Sequence, residues 1–273
     1  SVSPAIHGAA YELLGRQARY TLHDAPDEGA LRAALSRIAS GEFAGANVTV
    51  PWKRAALEAC ERVDASAAGV GAANVVARAA DGALVAYNTD ALALAEELRL
   101  GCQGLGRPER GALVVLGTGG AARAAVVSAR LAGFERIFVS GRSFEPSRAE
   151  SEWPGVEEWQ ALGARPLAWP PQLPEGVEAI VQATSAGMKG APGGEELAAL
   201  VPWAALPPLL AYDLVYNPPL TPFLRIAAEH GHSSRGGLGM LVGQAARAIE
   251  IWWGVLPPLE PLEAAARKAL GLD

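Results

Sequence analysis

The sequence predicts an α/β protein of two domains, and three observations carry that expectation. At 273 residues the chain exceeds the roughly 100 to 200 residues of a usual domain. Half of its residues are hydrophobic and 19% are charged, ample apolar material for buried cores and far from the composition of disorder. Short apolar runs alternate with Ala- and Leu-rich helical stretches, a rhythm that builds a parallel sheet with helices on both faces.

The elements follow in chain order. Pro4 to Leu14 reads as a helix with Ser3 as its N-cap and Pro4 at the first helical position, and Gly29 to Ala39 as a second. Ala46 to Val50 is a short strand, Trp52 to Arg62 a third helix after Pro51, Ala83 to Tyr87 another strand, and about Ala91 to Leu98 a further helix. From Gly101 to Arg110 the chain is Gly-rich and aperiodic, a loop that places the domain boundary near residue 100. Leu113 to Leu116 then reads as a strand running directly into Gly117-Thr118-Gly119-Gly120-Ala121-Ala122 and an Ala-rich helix that ends at Gly133. Strands are expected at Arg136 to Ser140, Ala179 to Ala183 and Leu209 to Leu214, and terminal helices at Met240 to Trp252 and Leu262 to Leu270. No repeat of fixed period is evident.

Composition excludes several classes of function. Lys and Arg total 23 against 29 Asp and Glu, a net charge of −6, and no basic run occurs, which argues against a nucleic-acid partner. Cys60 and Cys102 are too few for a disulfide framework and are not spaced as metal ligands, so a reducing cytoplasm is expected. The longest uncharged apolar stretch, Leu197 to Tyr212, is shorter than the ~20 residues of a membrane span and contains Pro202, Pro207 and Pro208. No secretory signal opens the chain as given, although Ser1 follows either a removed initiator Met or a missing leading segment. His7, His23, His230 and His232 lack the Cys or carboxylate company of a metal site, and no metal is expected.

The residues that carry chemistry fall in separate segments. In Gly117-x-Gly119-x-x-Ala122 the small residues permit a tight turn, close approach of a pyrophosphate, and packing of the following helix on the sheet. The helix N-terminus then offers free N–H groups to phosphates, as in a Rossmann domain. An NAD site places Asp or Glu about 20 residues on. Here the second strand ends in Ser140-Gly141-Arg142-Ser143, and the Arg142 guanidinium suits a 2′-phosphate, with Arg148 and Arg123 available to the same patch. The alternative is that Arg142 is a solvated loop cation. In Asn47-Val48-Thr49-Val50-Pro51-Trp52-Lys53 a strand ends with Lys53 on the first turn of a helix, where the dipole disfavours a cation. Either Lys53 points into solvent or a carboxylate compensates it, and Asp90 in Tyr87-Asn88-Thr89-Asp90 is the carboxylate on offer. Spacing alone favours two unrelated surface charges.

Taken together, Ser1-Val2-Ser3-Pro4, Asn47 to Lys53, Asn88-Thr89-Asp90, Gly117 to Arg123, Ala183-Thr184-Ser185 and Gly237-Leu238-Gly239-Met240-Leu241 with Gln244 resemble the shikimate dehydrogenase family, in order along the chain. The resemblance implies a substrate and catalytic domain at 1–100, completed by C-terminal helices at 238–273 that pack back on it, and a Rossmann NADP-binding domain at 101–237. It implies an NADP-linked reduction of 3-dehydroshikimate to shikimate in aromatic amino-acid biosynthesis, with small molecules as partners and a monomer or homodimer as the assembly. By the same resemblance Lys53 and Asp90 are the catalytic pair. Ser1 and Ser3 bind the substrate carboxylate with Tyr216 close by, and Thr49, Asn74, Asp90 and Gln244 contact the ring hydroxyls. Gly117, Gly119, Gly120, Ala121, Ala122, Arg142, Ser143, Arg148, Thr184, Leu214 and Gly237 serve the cofactor. The chemistry is consistent, because reducing a ketone builds negative charge on oxygen that an ammonium stabilises and then protonates. A buried donor and acceptor set rejects an analogue lacking one hydroxyl by ~10⁴-fold.

The chain departs from the family pattern in four places. It begins at the Ser-x-Ser-Pro element without the strand of about a dozen residues that usually precedes it. It has Gly141-Arg142-Ser143 for the usual Asn-Arg-Thr, Gln182 for an Asn before Ala-Thr-Ser, and Trp52 before Lys53. The enzyme alternative is a quinate or shikimate dehydrogenase of broader specificity that accepts NAD. The alternative of another class is a non-catalytic NADP-binding regulatory protein, which would have little reason to keep both Lys53 and Asp90.

Overall fold

The computed structural model describes residues 1–106 and 111–272; residues 107–110, the end of the expected Gly-rich loop, and residue 273 lie outside the described residues. Contacts divide the chain into two units, Ser1–Ala93 with Leu241–Asp273, and Leu94–Met240.

The first unit begins with α1 (Ser3–Leu13) and α2 (Glu28–Ala39), followed by β1 (Gly45–Asn47), α3 (Lys53–Glu58), β2 (Arg62–Val63), α4 (Ala65–Val70), β3 (Val75–Arg78) and β4 (Leu84–Tyr87). Its sheet has the order β1-β3-β4-β2, with β3 antiparallel to both neighbours and β2 parallel to β4, so the rhythm of the first 100 residues yields a mixed sheet. Leu31, Leu35 and Ile38 recur at helical spacing along α2 and pack with Val76, Leu84 and Ala86 of β3 and β4. Pairing continues past the strand ends: Asn74 N–H donates to the Tyr87 carbonyl at 3.0 Å, and Val48 N–H donates to the Asn74 carbonyl at 2.8 Å. Three chain segments thus meet at Asn74.

Two expectations for this unit are corrected. The N-cap of α1 is Val2, and Ser3 is already inside the helix with its hydroxyl accepting from Ser1 at 3.2 Å. The expected helix from Trp52 to Arg62 stops at Glu58, because Arg62 and Val63 pair with Val85 and Ala86 as strand β2.

Helix α5 (Thr89–Gln103) carries the chain from one unit into the other, so the division lies inside a helix and not in the loop expected from Gly101. The second unit continues with β5 (Ala112–Leu116), α6 (Gly120–Ala132), β6 (Arg136–Ser140), α7 (Val156–Ala161), β7 (Ala164–Leu167), β8 (Val177–Gln182), α8 (Gly194–Ala199), β9 (Leu210–Asp213), α9 (Pro222–Glu229) and β10 (Ser233–Gly236). All six strands are parallel, in the order β10-β9-β8-β5-β6-β7. The sheet is covered on both faces, as expected from the continuous apolar runs. Leu113 and Val115 pack with Ala122, Ala125, Val126 and Ala129 of α6, while Val114 and Leu116 pack with Leu197 of α8 and with Phe223 and Leu224 of α9.

The terminal helices are α10 (Leu238–Trp253) and α11 (Leu259–Leu270). From Leu241 onward they belong to the first unit. There the Trp252 indole donates to the Val76 carbonyl of β3 at 3.2 Å, and Gly45 leaves room for it, since a Cβ at that position would lie 2.1 Å from the indole nitrogen.

Candidate active site

Lys53, Asp90 and Asn74 of the first unit gather near the ends of its strands. Lys53 opens α3 and Asp90 lies in the first turn of α5, with Nζ 2.7 Å from Asp90 Oδ2. The unfavourable placement of a cation at a helix start is thereby compensated by an acid, itself favourably placed at another helix start. The Lys53 side chain is 33% exposed and that of Asp90 14%, so the ammonium is the part of the pair that faces outward.

The local chain explains why the pair is held. Trp52, the bulky residue before Lys53, donates its indole N–H to the Ala25 carbonyl at 2.8 Å, and Ala73 N–H donates to the Lys53 carbonyl at 2.8 Å. On the other side, Asn88 caps α5 by accepting from Ala91 N–H at 3.1 Å and donates from its amide to the Ala72 carbonyl at 2.9 Å. Asn74 joins the two sides. Its amide nitrogen donates to Asp90 Oδ1 at 2.9 Å and to Thr89 Oγ1 at 3.0 Å, and reaches Gln244 Oε1 at 3.5 Å, while its oxygen accepts from Thr89 N–H at 2.7 Å. Asn74, Thr89 and Gln244 are buried, and Gln244 donates to the Leu241 carbonyl at 2.9 Å.

Other expected substrate residues of the first unit make no hydrogen bond to this network among the described residues. Thr49 is exposed, with its hydroxyl directed at the Val50 carbonyl at 3.5 Å, and no hydrogen bond ties it to Asn74 or Asp90 among the described residues. Ser1 and Ser3 form their own exposed pair, in which Ser3 N–H also donates to Ser1 Oγ at 3.3 Å. Tyr216, half-buried in the second unit, follows β9.

In the second unit the expected cofactor residues line the C-terminal ends of the parallel strands, where ligands of open α/β sheets bind. Gly117 has φ +124°, and a Cβ there would press on the Ala183 carbonyl oxygen at 3.0 Å. Gly119 caps α6 without a side chain, and Cβ atoms added at Gly119 or Gly120 would meet only open space. With Ala121 also exposed, the first N–H groups of α6 are accessible to an anion. These features fit a dinucleotide pyrophosphate. Gly237 packs on the Leu214 backbone so tightly that its Cβ would lie 2.3 Å from the Leu214 oxygen, so only glycine fits. Thr184 is half-buried, with its hydroxyl accepting from Ala186 N–H at 3.1 Å.

The arginines separate. Arg142, directly after β6, is exposed and makes no ion pair among the described residues, and Ser143 beside it is half-buried. Arg148 pairs with Glu145 at 3.5 Å. Arg123 is bound to Glu158 at 2.6 Å and lies over the Trp159 ring at 5.7 Å, so it is not the spare cation the sequence suggested.

Residues 1–76 match the shikimate dehydrogenase substrate binding domain, and residues 237–267 match the shikimate 5′-dehydrogenase C-terminal domain. A shikimate dehydrogenase (NADP(+)) of Citrifermentans bemidjiense is 39% identical over 97% of this chain and 90% of its own. The chain belongs to the shikimate dehydrogenase family. Shikimate 5-dehydrogenase from Thermus thermophilus, solved in complex with NADP(H) and shikimate, is 35% identical with a TM-score of 0.79, covering 99% of this chain and 95% of that one. A ligand-free 5-ketofructose reductase of Gluconobacter is 29% identical with a TM-score of 0.82, covering 98% and 93%.

Sequence reasoning overlooked the acid at the end of β9. Asp213 is fully buried, and burial pushes its carboxyl up to about 6, against hydrogen bonds from Thr221, Val215 and Gln182. An Asp closing a strand next to a glycine-poor turn carries no period or motif of its own, so only its position in the sheet reveals it.

Proposed function

We infer that the chain catalyses the reversible, NADP-dependent reduction of 3-dehydroshikimate to shikimate in the aromatic amino-acid pathway. The observation that carries this reading is the Lys53–Asp90 pair at 2.7 Å, braced by Asn74, in a chain of this family. NADPH supplies the hydride. Lys53 stabilises the negative charge that develops on the ketone oxygen and delivers the proton that completes the hydroxyl. Asp90 holds and aims the ammonium, and Asn74 fixes the second carboxylate oxygen so that the first remains with Lys53. Gln244 and Thr49 complete the hydroxyl contacts, and Ser1, Ser3 and Tyr216 serve the carboxylate.

On the cofactor side, Gly117, Gly119, Gly120, Ala121 and Ala122 hold the pyrophosphate, and Thr184, Leu214 and Gly237 serve the cofactor beside them. The unpaired Arg142 binds the 2′-phosphate with Ser143, Arg148 contributing after it releases Glu145. No helix among the described residues is long and apolar enough to cross a membrane. Cys60 and Cys102 are not joined in a disulfide, as a cytoplasmic enzyme would have them; a monomer or homodimer is the assembly proposed by resemblance.

A second reading is a reductase of broader hydroxylated ketones, quinate-type substrates included, favoured by the likeness to 5-ketofructose reductase. Reduction of NADP⁺ and of NAD⁺ by shikimate and by quinate separates the two. Turnover with shikimate and NADP⁺ alone supports the first reading, and comparable turnover with quinate or NAD⁺ supports the second. No turnover with any pair refutes both.

A further inference from the structure

The chemistry assigned above gives no work to the buried acid at the end of β9. Its carboxylate accepts from three segments: Oδ1 from Val215 N–H at 2.9 Å and from Gln182 Nε2 at 3.2 Å, and Oδ2 from the Thr221 hydroxyl at 2.6 Å. Gln182 stands opposite Asp213 in the β8–β9 register. It also donates to the Ala186 carbonyl at 2.9 Å and accepts from Thr184 N–H, so its amide ties down the turn after β8. Thr221 in turn caps α9, accepting from Leu224 N–H at 3.3 Å. No ion pair to Asp213 occurs among the described residues, and burying a carboxylate without a cation costs stability. A group retained at such a cost is better explained by what it holds than by the fold's stability.

We propose that Asp213 is a positioning residue for the cofactor seat: bridged to Gln182, its carboxylate fixes the turn that carries Thr184 against the turn that carries Leu214 and Tyr216. The inference rests on the assignment of Thr184 and Leu214 to the cofactor. Its reach extends to the glycine turn, because a Cβ added at Gly117 would lie 3.0 Å from the Ala183 carbonyl oxygen and 3.1 Å from Thr184 Cγ2, so the two turns run side by side. Slippage of the β8 turn therefore presses on the turn that receives the pyrophosphate.

The Gln182 side chain spans from its backbone to Asp213, Ala186 and Thr184 at once. An Asn at residue 213 is the informative conservative variant: its oxygen still accepts from Val215 and Gln182, and its NH₂ faces a Thr221 hydroxyl that can turn to accept. An Ala there leaves three buried donors without an acceptor.

The test is NADP⁺ binding to the full chain by calorimetry, with steady-state constants alongside. Asp213→Ala and Gln182→Leu are expected to weaken NADP⁺ binding by about tenfold or more while KM for shikimate stays within about twofold, and Asp213→Asn to restore binding to within about threefold. Folded Asp213→Ala or Gln182→Leu protein with unchanged NADP⁺ affinity would overturn the proposal. So would an Asn variant as weak as the Ala variant, since that assigns the role to charge. If Asp213→Ala does not fold, Gln182→Leu and Asp213→Asn decide it alone. Wild-type protein that binds no NADP⁺ would instead refute the cofactor assignment beneath the inference.

Discussion

Lys53 Nζ and Asp90 Oδ2 lie 2.7 Å apart although 37 residues separate them in the chain, each at the start of its own helix. The ammonium is the more exposed partner, with the carboxylate more deeply buried behind it, which is the arrangement the proposed acid requires. Lys53→Ala is expected to lower kcat for shikimate oxidation by ~10²- to 10⁴-fold, the usual range for a lost general acid or base. Lys53→Arg should be nearly as slow, because a guanidinium keeps the charge but does not give up its proton. A Lys53→Arg enzyme with near-normal kcat would show that charge alone suffices.

Asn74 makes a second, independent expectation. It is the sole side chain among the described residues that bonds Asp90, Thr89 and Gln244 together, and it is 3% exposed. Asn74→Leu fills the same space but strands the Thr89 N–H and removes the brace from Asp90. The expected cost is about 1–3 kcal/mol of stability in chemical denaturation, with a rise in KM for shikimate that exceeds any change in KM for NADP⁺. Equal effects on both KM values would mean that Asn74 supports only the fold.

Much of this arrangement was legible in the sequence, and the parts that were not have physical reasons. The β5–glycine turn–α6 unit is readable because each residue obeys a local rule: a buried strand, a φ that only glycine tolerates, an Ala-rich helix face. Strands β2, β7 and β10 escaped because they are short or carry exposed residues, and nothing local explains why the buried run of β3 was not read; β10, Ser233 to Gly236, carries no apolar run at all. Helix α3 was read too long because Arg62 and Val63 are held in a strand by pairing with β4, a tertiary partner invisible to local propensity. Asp90 was legible as a partner for Lys53 by resemblance, whereas Asp213 and Trp52 act through contacts made only once distant segments meet. Arg123 was read as available to the Arg142 patch, but Glu158 on α7 already holds it, a partner 35 residues away that no local pattern reveals.

Thr118 and Gly141 form a sterically coupled pair. A Cβ on Gly141 would lie 2.6 Å from Thr118 Cγ2, so the glycine at this position is matched to the Thr in the glycine turn. Gly141→Ala is expected to displace the turn and weaken NADP⁺ binding by about tenfold, and Thr118→Ala added to it should recover most of the loss. Additive losses in the double variant, measured by calorimetry, would show the two sites to be independent.

The two units should respond to acid in opposite directions. His7 is fully buried in the first unit, stacked on Tyr20 with ring centroids 4.2 Å apart, and neither ring nitrogen completes a hydrogen bond among the described residues. Burial pushes its imidazole from 6.5 down to about 4, with Asn47 opposing the shift. A base whose folded pKa is depressed contributes stability above its unfolded pKa, which is lost as pH falls through the window from 6.5 to 4. Between pH 8 and pH 5 that amounts to about 2 kcal/mol lost from the first unit. Asp213 has the reverse sign. Its carboxyl is raised from 3.8 to about 6, so its stabilising contribution is full below 3.8 and lost as pH rises through about 6. Over the same pH range the second unit gains about 1 kcal/mol from it. Hydrogen exchange of α1 and β9 amides, corrected for the intrinsic pH dependence, reads the two separately. His7→Phe should abolish the acid loss in α1, and Asp213→Asn should raise β9 protection at pH 8 toward its pH 5 value. Protection that moves the same way in both units, indifferent to either substitution, would refute the opposition.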